Sequence, residues 1–323
     1  MADRIEVFGL GALNVDHVFR VEHLVEDGET LVESVGRFPG GSAANTIYGL
    51  ARLGTSIAFA GSLGNDQDGR LLFDSFEDAG VDCSRIAIKP KAGTGATLCF
   101  IDKTGNRSLY VEPGANNLLN YGDLDVAAIN CSNILHISSF VGDEQFNLTL
   151  KLVDALLPEV KLSFAPGTLY AARGLEALTP LIARSDIIFI NRDEIQRLTG
   201  CGYKEGAAVC RRLGCRMVVV TMGSGEAEDV PANTTGYIAA ESGDCLMTVP
   251  VQDKAEVVDT TGAGDAFAAG FLYGLLKGRS AEICGRLGDI TARCKITAIG
   301  ARTGLPTAEQ LAQQYTAIYG QDL

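Results

Sequence analysis

Short apolar runs that alternate with helix-like segments constrain the fold of this 323-residue sequence more than any other feature. Continuous apolar runs are typical of strands that are covered on both faces, as in parallel sheets. The helix-like segments between the runs each stop at a Gly or a Pro. We therefore predict an α/β fold with a doubly wound, mostly parallel, Rossmann-like sheet. The runs are RIEVFGLG, SIAFAG, NILHIS, KLSFA, DIIFI and RMVVVTMG, and the helical segments are 42–53, 68–79, 143–157 and 203–213.

Two segments, residues 15–37 and 94–111, break this alternation. The second reads as two strands around a Lys-Thr-Gly turn, and no helical segment separates them. Strands of this kind inside an α/β chain indicate a small β-sheet that projects from the main layer as a lid. We predict a single domain over residues 1–323, with the lid inserted from these two segments.

The composition excludes several classes of partner. A formal charge of −13 and a pI near 4.7 argue against a nucleic-acid or anionic-membrane surface, because binding such polymers requires a positive face. The nine cysteines include no Cys-x-x-Cys pair, which favours reduced thiols and a cytoplasmic setting. We find no run of membrane-spanning length and no signal-peptide pattern at the start of the sequence. The expected partner is a small molecule.

The stretch DTTGAGDAF at residues 259–267 carries the strongest chemical signal. Gly262, Ala263 and Gly264 would place backbone amides at the positive end of a helix that begins near Asp265, where an anion can approach closely. Asp265 alone could be an ordinary acid in the first turn of a helix, but that role needs neither two glycines nor paired threonines. A carboxylate beside an anion hole is suited to phosphoryl transfer to an alcohol, because it can take the proton from the hydroxyl.

Other polar or glycine-rich motifs follow predicted strands, where an open α/β sheet binds its ligands. Each of them alone would be an ordinary turn or helix cap. Taken together, in this order, the motifs resemble the ribokinase-like, or PfkB, family of ATP-dependent sugar and nucleoside kinases. The resemblance covers nearly the whole chain, and GGSAAN and DTTGAGDAF match the two signature regions of the family. The motifs are GALNVDHVF with Asn14 and Asp16, PGGSAAN with Gly40, Gly41 and Asn45, NRDE with Asn191 and Glu194, and TMGSG with Thr221, Gly223 and Gly225.

The resemblance implies a role for each of these positions. Asp265 would deprotonate the acceptor hydroxyl, with the amides of Gly262, Ala263 and Gly264 as the anion hole. The residues that would bind the substrate are Asn14, Asp16, Gly40, Gly41, Asn45 and Ser139. The residues that would bind the nucleotide are Asn191, Thr221, Gly223 and Gly225.

The resemblance also implies cofactors and an assembly. ATP would be the phosphoryl donor, and Glu194 would hold Mg²⁺ through water. A monovalent cation, K⁺, would order the anion-hole loop, and family members often form homodimers through the lid. The residues implied for this cation are Asp259, Thr261, Ala298 and Gly300.

The acceptor stays open at the level of the sequence. We expect first the primary hydroxyl of a free pentose or ketohexose. A nucleoside is second, because it needs an apolar slot for its base, and a phosphorylated sugar is third, because the lid segments offer few cations. Ribokinases proper carry a Glu after the strand that here reads ILHISSF, so Ser138 and Ser139 argue against ribose. The candidate slot residues are Phe19, Phe38, Phe100 and Phe140, and the cations are Arg20, Arg37, Lys103 and Arg107.

Two other classes of function compete with the kinase. GLGALN near the first strand almost spells a dinucleotide fingerprint, but Asn14 replaces the third glycine and an oxidoreductase leaves DTTGAGDAF unexplained. A phosphate loop of the Walker type is absent from the sequence. A catalytically silent binding protein on the same fold would be expected to lose the base or the glycines, and Asp265, Gly262 and Gly264 are intact.

Overall fold

The computed structural model describes residues 4–104, 106–223, 230–231, 233–249 and 257–323. Its strands and helices follow the predicted alternation along the chain. The strands are β1 (Val7–Leu10), β2 (Asn14–Val21), β3 (Val32–Pro39), β4 (Ile57–Leu63), β5 (Ile86–Ile88), β6 (Gly95–Ile101), β7 (Arg107–Glu112), β8 (Ile134–Ser138), β9 (Lys161–Ala165), β10 (Ile187–Asn191), β11 (Met217–Thr221), β12 (Thr234–Ala240) and β13 (Cys245–Thr248). The helices are α1 (Ser42–Arg52), α2 (Gln67–Asp78), α3 (Val126–Asn130), α4 (Asp143–Asp154), α5 (Gly167–Ala171), α6 (Leu175–Arg184), α7 (Arg192–Thr199), α8 (Tyr203–Arg212), α9 (Ala263–Leu276), α10 (Ala281–Lys295) and α11 (Ala308–Tyr319).

The main sheet is mostly parallel and has nine strands, in the order β13-β12-β11-β10-β9-β8-β1-β4-β5. From β11 to β5 every neighbouring pair is parallel, and β12 and β13 add an antiparallel edge. The carboxyl ends of β1, β8, β10 and β11 therefore meet along one edge of the sheet. Ligands of open α/β sheets bind at this edge.

Helices on both faces of the main sheet explain its continuous apolar runs. In β11, Val218 and Val220 join the hydrophobic layer that contains α4, α6, α7 and α8. Val219, between them, joins the opposite layer with α1, α2, α9, α10 and α11. Because successive side chains of a strand point to opposite faces, a strand buried on both sides needs apolar residues at every position.

A second sheet contains β2, β3, β6 and β7 and is called here the lid sheet. Its order is β3-β2-β6-β7, with β2 and β6 parallel and the two outer pairs antiparallel. Its root is tied to α2, because His17 Nε2 lies 2.7 Å from one oxygen of Asp68 and Arg37 donates to the other at 2.9 Å. The two sheets confirm the predicted α/β fold class with a small projecting β-sheet.

Helix α9 is buried between the sheet and α10, and glycine allows the close approach of the two helices. A Cβ at Gly270 would lie only 2.5 Å from the carbonyl oxygen of Leu287 and 2.4 Å from Thr291 Oγ1. This packing fixes the start of α9 against the main sheet.

In the described ranges, no helix has the length and apolar character needed to cross a bilayer.

Candidate active site

The start of α9 places Asp265 at the edge of the sheet. Gly262 caps the helix in the left-handed region at φ 76°, and a Cβ there would lie 2.7 Å from the Cβ of Ala301. Both the conformation and the contact require glycine at this position. The helix then begins at Ala263, which puts Asp265 in its first turn.

The amides at this helix start differ in how they are used. Ala263 N donates to Thr260 O at 3.1 Å, so it already has an acceptor. The first hydrogen bond that closes a helical turn runs from Ala266 N to Gly262 O, and the amide of Gly264 lies ahead of it. Gly264 is exposed, and a Cβ there would meet no atom within 4 Å. An anion can therefore approach the positive end of the helix beside Gly264.

The carboxylate of Asp265 is oriented by two donors from α1. Ser42 Oγ donates to Oδ1 at 2.7 Å, and Asn45 Nδ2 donates to Oδ2 at 2.9 Å. Burial raises the pKa of Asp265 to about 6, although these two hydrogen bonds favour the charged form. The result is a half-buried, fixed carboxylate whose pKa suits a general base near neutral pH.

A second carboxylate, Asp16 on β2, faces the same region. Burial raises its pKa to about 6, against a hydrogen bond from Thr97 on the neighbouring strand β6. Asn14 lies two residues earlier and so projects from the same face of β2. Its Oδ1 accepts a hydrogen bond from Asn116 Nδ2 at 2.8 Å, which fixes the orientation of the amide. Asn14 and Asp16 thus form a polar pair on one face of the lid sheet.

Arg302 joins the Asp265 cluster to the loop before α1. This buried guanidinium donates from Nε to Asn45 Oδ1 and from Nη2 to Gly40 O, both at 3.1 Å. A Cβ at Gly40 would lie 2.6 Å from Asp16 Oδ2, so Gly40 lies directly against that carboxylate. Arg302 also acts electrostatically on both Asp16 and Asp265, lowering the pKa of each. One cation therefore acts on both Asp265 and Asp16 and contacts Asn45 and Gly40, residues to which the resemblance gives a role.

The two serines at the end of β8, Ser138 and Ser139, make no hydrogen bond to Asp265 in the part of the chain that the structure describes. Ser138 Oγ accepts a hydrogen bond from Ala43 N at 3.0 Å and so supports the start of α1. Gly41 caps that helix at φ 93°, and a Cβ there would lie 2.2 Å from Ala12 O. Ser139 lies beside Gly167, where an added Cβ would be 3.3 Å from its hydroxyl. Within the described part of the chain, no hydrogen bond connects Ser139 with Asp265.

The ends of β10 and β11 form the other side of the site. Asn191 and Thr221 are paired in register at the carboxyl ends of these strands. Asn191 also caps α7 in a capping box, because its Oδ1 accepts from Glu194 N while its own N–H donates to Glu194 Oε2. Gly223 turns the chain after β11 at φ 63°. Gly225, also expected in this loop, lies outside the described residues.

Glu194 and Asp265 repel each other across the site. Burial raises the pKa of Glu194, and the charge of Glu194 in turn raises the pKa of Asp265. Glu194 Oε1 also accepts from Thr168 Oγ1 at 3.4 Å. Two such carboxylates with hard oxygen donors fit a hydrated Mg²⁺ between them. Among the described residues, no group of three or more His, Cys, Asp or Glu side chains is arranged to ligate a metal directly.

The residues implied for a monovalent cation do come together, but around a lysine. The fully buried Lys295, the last residue of α10, donates from Nζ to Asp259 O at 2.7 Å and to Ala298 O at 3.2 Å. The carboxylate of Asp259 accepts from Thr261 N and Gly300 N, both at 2.9 Å. The cluster fits an ammonium group and does not fit an additional metal cation at the same carbonyls.

Three residues of the site were missed by the sequence analysis. Ser42 lies inside the GGSAAN motif, and its place one turn before Asn45 could have indicated it. Lys295 continues the buried stripe of α10 formed by Cys284, Leu287 and Thr291, a helical spacing at which a lysine is conspicuous. Arg302 follows Gly300 in an irregular segment, and no local pattern marks its contacts.

Comparisons with known proteins show the family of the chain and its fold. The model of the pfkB family carbohydrate kinases matches residues 4–308. An uncharacterised sugar kinase of Archaeoglobus fulgidus is 38% identical, covering 80% of this chain and 98% of the relative. An ATP-dependent ribose-1-phosphate kinase of Halopiger xanaduensis is 32% identical, covering 95% and 97%. The solved structure of a nucleoside kinase of Methanocaldococcus jannaschii has the same fold, with a TM-score of 0.81, 24% identity, and coverage of 97% of this chain and 99% of that one.

Proposed function

We propose that this chain, which belongs to the pfkB family of carbohydrate kinases, phosphorylates the primary hydroxyl of a small free sugar, a pentose or a ketohexose. Its family membership makes it an ATP-dependent phosphotransferase that acts on a hydroxyl group of a sugar or a nucleoside. The observation that carries the choice of acceptor is the pair Asn14 and Asp16 on one face of β2. An amide and a carboxylate side by side can bind two neighbouring hydroxyls.

The catalytic steps follow from the geometry around Asp265. Its carboxylate takes the proton of the acceptor hydroxyl while Ser42 and Asn45 hold it in one orientation. The amides at the start of α9, beside Gly264, stabilise the negative charge of the transferring phosphoryl group. General-base assistance of this kind contributes about 10²- to 10⁴-fold in rate. The hydroxyl oxygen would then form a bond to the γ-phosphorus in line with the bond from that phosphorus to the β-phosphate oxygen, which breaks so that ADP leaves with the oxygen.

The opposite side of the site would hold the cofactors. Bound ATP supplies the phosphoryl group, and Mg²⁺ neutralises its charge. Asn191, Thr221 and Gly223 at the ends of β10 and β11 would contact the nucleotide. Glu194 would hold the metal through water, because its own oxygens already accept from Asn191 N and Thr168 Oγ1.

The aromatic side chains considered for a nucleoside base are engaged elsewhere, which favours a sugar. Phe140 is 1% exposed and belongs to the core. Phe19 and Phe100 stack on each other in the lid sheet with ring centroids 5.3 Å apart. Phe38 packs over Gly300, where a Cβ would lie 2.8 Å from its ring. The nucleobase of a nucleoside acceptor would have to displace one of these aromatic contacts.

A phosphorylated sugar is the second candidate, and Arg107 favours it. This exposed residue of β7 reaches across to the anion-hole loop and donates to Thr261 Oγ1 at 3.4 Å. Arg37 and Lys103 already pair with Asp68 and Glu22, so Arg107 is the better placed cation for an acceptor phosphate. A relative that is 32% identical acts, by its name, on ribose 1-phosphate.

We further propose that the lid sheet mediates a homodimer. Apolar side chains exposed at its two edge strands, β3 and β7, support this, since exposed apolar surface commonly marks interfaces. Leu31, one residue before β3, is the most exposed of them, at 91%. Sedimentation of the wild type and of Leu31→Glu tests the idea, and a wild type that sediments as a monomer at all concentrations contradicts it. The exposed apolar side chains are Leu31, Val32, Leu109, Tyr110 and Val111.

A cytoplasmic location is also part of the proposal. All nine cysteines are free thiols, and five of them are buried. Burial raises the pKa of the Cys83 and Cys215 thiols to about 12, which keeps them protonated and unreactive. Cell fractionation tests this location, and recovery outside the cytoplasm would contradict it.

Acceptor-dependent ADP release tests the proposed function. The panel contains ribose, fructose, 2-keto-3-deoxygluconate, adenosine, cytidine, ribose 1-phosphate and fructose 6-phosphate, with ATP and Mg²⁺. We expect one free sugar to stand above background in the wild type and not in Asp265→Asn, the matched control without the base. A nucleoside as the best acceptor would contradict the proposal.

Arg107→Gln separates the two sugar candidates. For a free sugar, the variant is expected to stay within about twofold of wild type, because the sugar offers no charge to the guanidinium. For a phosphorylated sugar, KM is expected to rise about tenfold or more with a smaller change in kcat. The second outcome would replace the free sugar as the acceptor.

A further inference from the structure

Lys295 lies in a position where lysine is rarely found. Its side chain is fully buried at the end of α10, on the stripe that faces α9. An ammonium group taken out of water is costly unless oxygen acceptors surround it. Its environment must therefore compensate the charge.

The surroundings of Lys295 are a cage of oxygen acceptors. Nζ donates to the carbonyls of Asp259 and Ala298, and a carboxylate oxygen of Asp259 lies 3.8 Å away. An ammonium has three donors and no acceptor, so this cage suits the charged form of the side chain. Burial alone would raise the pKa of Asp259, but hydrogen bonds from Thr261 and Gly300 and the charge of Lys295 hold it below its ordinary value. Burial lowers the pKa of Lys295, but the charge and the hydrogen bond of Asp259 oppose this shift, so each partner favours the charged form of the other.

This cage connects the two segments that surround the start of α9. Lys295 joins the carbonyl of Asp259 to that of Ala298, and the Asp259 carboxylate joins Thr261 N to Gly300 N. The backbone then continues from Thr261 into Gly262, the cap of α9. The ammonium therefore fixes the loop that carries the anion hole, without touching the acceptor residues.

A metal ion cannot share this place with the ammonium. It would compete with the ammonium for the Ala298 carbonyl and the Asp259 carboxylate, and two positive charges a few ångströms apart in a buried site repel each other strongly. A third positive group is already near, since Arg107 donates to the hydroxyl of Thr261 at 3.4 Å. The Asp259 carboxylate therefore already faces the ammonium of Lys295, 3.8 Å away, and a further cation would add to the positive charge beside it.

We propose that the ammonium of Lys295 is a built-in replacement for a monovalent metal cation, so that this kinase orders its anion-hole loop and turns over without K⁺. Lys295 is a positioning residue, because it acts through the loop 259–264 and contacts no substrate. The role in turnover rests on the proposed function, whereas the ordering of the loop does not.

The first test is the cation dependence of the wild type. Turnover is measured in KCl, NaCl and tetramethylammonium chloride at equal ionic strength. We expect the three values to agree within about twofold, because the cation site is filled by the side chain. Activation by K⁺ of about tenfold or more would overturn the proposal, and this measurement needs no variant.

The second test removes the ammonium. Lys295→Ala leaves a space lined by the carbonyls of Asp259 and Ala298, and kcat is expected to fall about 10²-fold with KM for the acceptor little changed. K⁺ should restore a large part of the loss, and tetramethylammonium should not, because it is too large for the space. Lys295→Met fills the space with an uncharged chain and should stay inactive in all salts. Full activity of Lys295→Ala without K⁺ would overturn the proposal.

Thermal unfolding gives a readout that does not depend on the acceptor. K⁺ should raise the Tm of Lys295→Ala relative to tetramethylammonium, because an ion that binds only the folded state stabilises it. The wild type and Lys277→Ala, which removes an exposed lysine just after α9, should show no such difference. Equal effects of K⁺ on all three proteins would contradict the replacement. If K⁺ raises the Tm of Lys295→Ala alone, as expected, but no acceptor gives turnover, the ordering of the loop stands and the proposed acceptor is wrong.

Discussion

Two buried cations, Arg302 and Lys295, lie behind the residues proposed for the site, and they differ in the groups they bind. Arg302 supports the proposed acceptor side through a planar fork, which binds Asn45 Oδ1, Ser75 Oγ and Gly40 O at 3.1 Å each. Lys295 supports the proposed phosphate side as a point charge between the carbonyls of Asp259 and Ala298. A fork imposes directions on its partners, whereas a point charge requires only proximity.

The difference between the guanidinium and the ammonium determines how strictly each one orients its neighbours. Because Arg302 Nε can only donate, Asn45 must present its oxygen to Arg302 and its NH₂ group to Asp265. The orientation of the amide, and with it the direction of the base, follows from the guanidinium. On the other side, a small ion could do the work of Lys295. We therefore expect that a small metal cation from the buffer can replace the ammonium of Lys295 and cannot replace the guanidinium of Arg302.

Loss of Arg302 should have the largest effect. Arg302→Met leaves the oxygens of Asn45 and Gly40 without their buried donor, and we expect a loss of about 3 kcal/mol in the free energy of unfolding. The acceptor KM should rise about tenfold, since Asn45 can rotate and Gly40 lies against Asp16. Urea denaturation and steady-state kinetics measure the two effects.

Arg302→Lys is the matched control for this change. It keeps the charge but loses the fork, so stability should recover only in part and KM should remain raised. If K⁺ restored the stability and the acceptor KM of Arg302→Met, the expected difference between Arg302 and Lys295 would be wrong.

The pH dependence of stability should show an intermediate effect. The folded-state pKa of Asp265, about 6, lies above its ordinary value of 3.8 because of burial. A raised carboxyl pKa gives stability that is present below about pH 4 and is lost as the pH rises through 6. Asp265→Asn should therefore have a higher Tm than wild type at about pH 8, and the difference should shrink toward pH 4. A variant that is less stable than wild type at pH 8 would show that the charged carboxylate stabilises the fold.

Loss of Ser42 should have the smallest effect. Ser42→Ala removes one of the two donors to Asp265, so the pKa of this carboxyl should rise and the acid limb of kcat/KM, expected near pH 6, should move to higher pH. Turnover on the plateau should fall by less than about tenfold, because Asn45 still orients the base. A pH–rate profile of the variant beside wild type measures this shift, and an unmoved acid limb would assign the limb to another group.

The sequence predicted those parts of the fold and site that depend on local patterns. Apolar runs indicated the parallel strands because these are buried on both faces. The segment that follows GAGD indicated a helix beginning near Asp265, and α9 begins two residues earlier, at Ala263. Four of the predicted helices correspond to α1, α2, α4 and α8, with α4 ending at Asp154 instead of residue 157. The roles of all the site residues, from Asp265 to Asn14, Asp16 and Ser139, remain predictions.

The contacts of the two buried cations, Arg302 and Lys295, could not be predicted from local patterns in the sequence. The contact of Arg302 with Asn45 joins residues 257 positions apart, and no spacing in the sequence records it. The helical spacing of Lys295 could have indicated that it is buried, but only the position of Asp259 in space shows which groups its ammonium contacts. The contacts of both cations are specified by tertiary neighbours.

The distance between Asn45 and Arg302 along the chain has a consequence for biosynthesis. A ribosome adds about 5–20 residues per second, so the partner of Asn45 is made on the order of ten seconds or more after Asn45 itself. For most of that interval β1 and β4 can pair, but the amide of Asn45 has neither Asp265 nor Arg302 to bind. The nascent protein therefore cannot fix the orientation of Asn45 until residue 302 has been made.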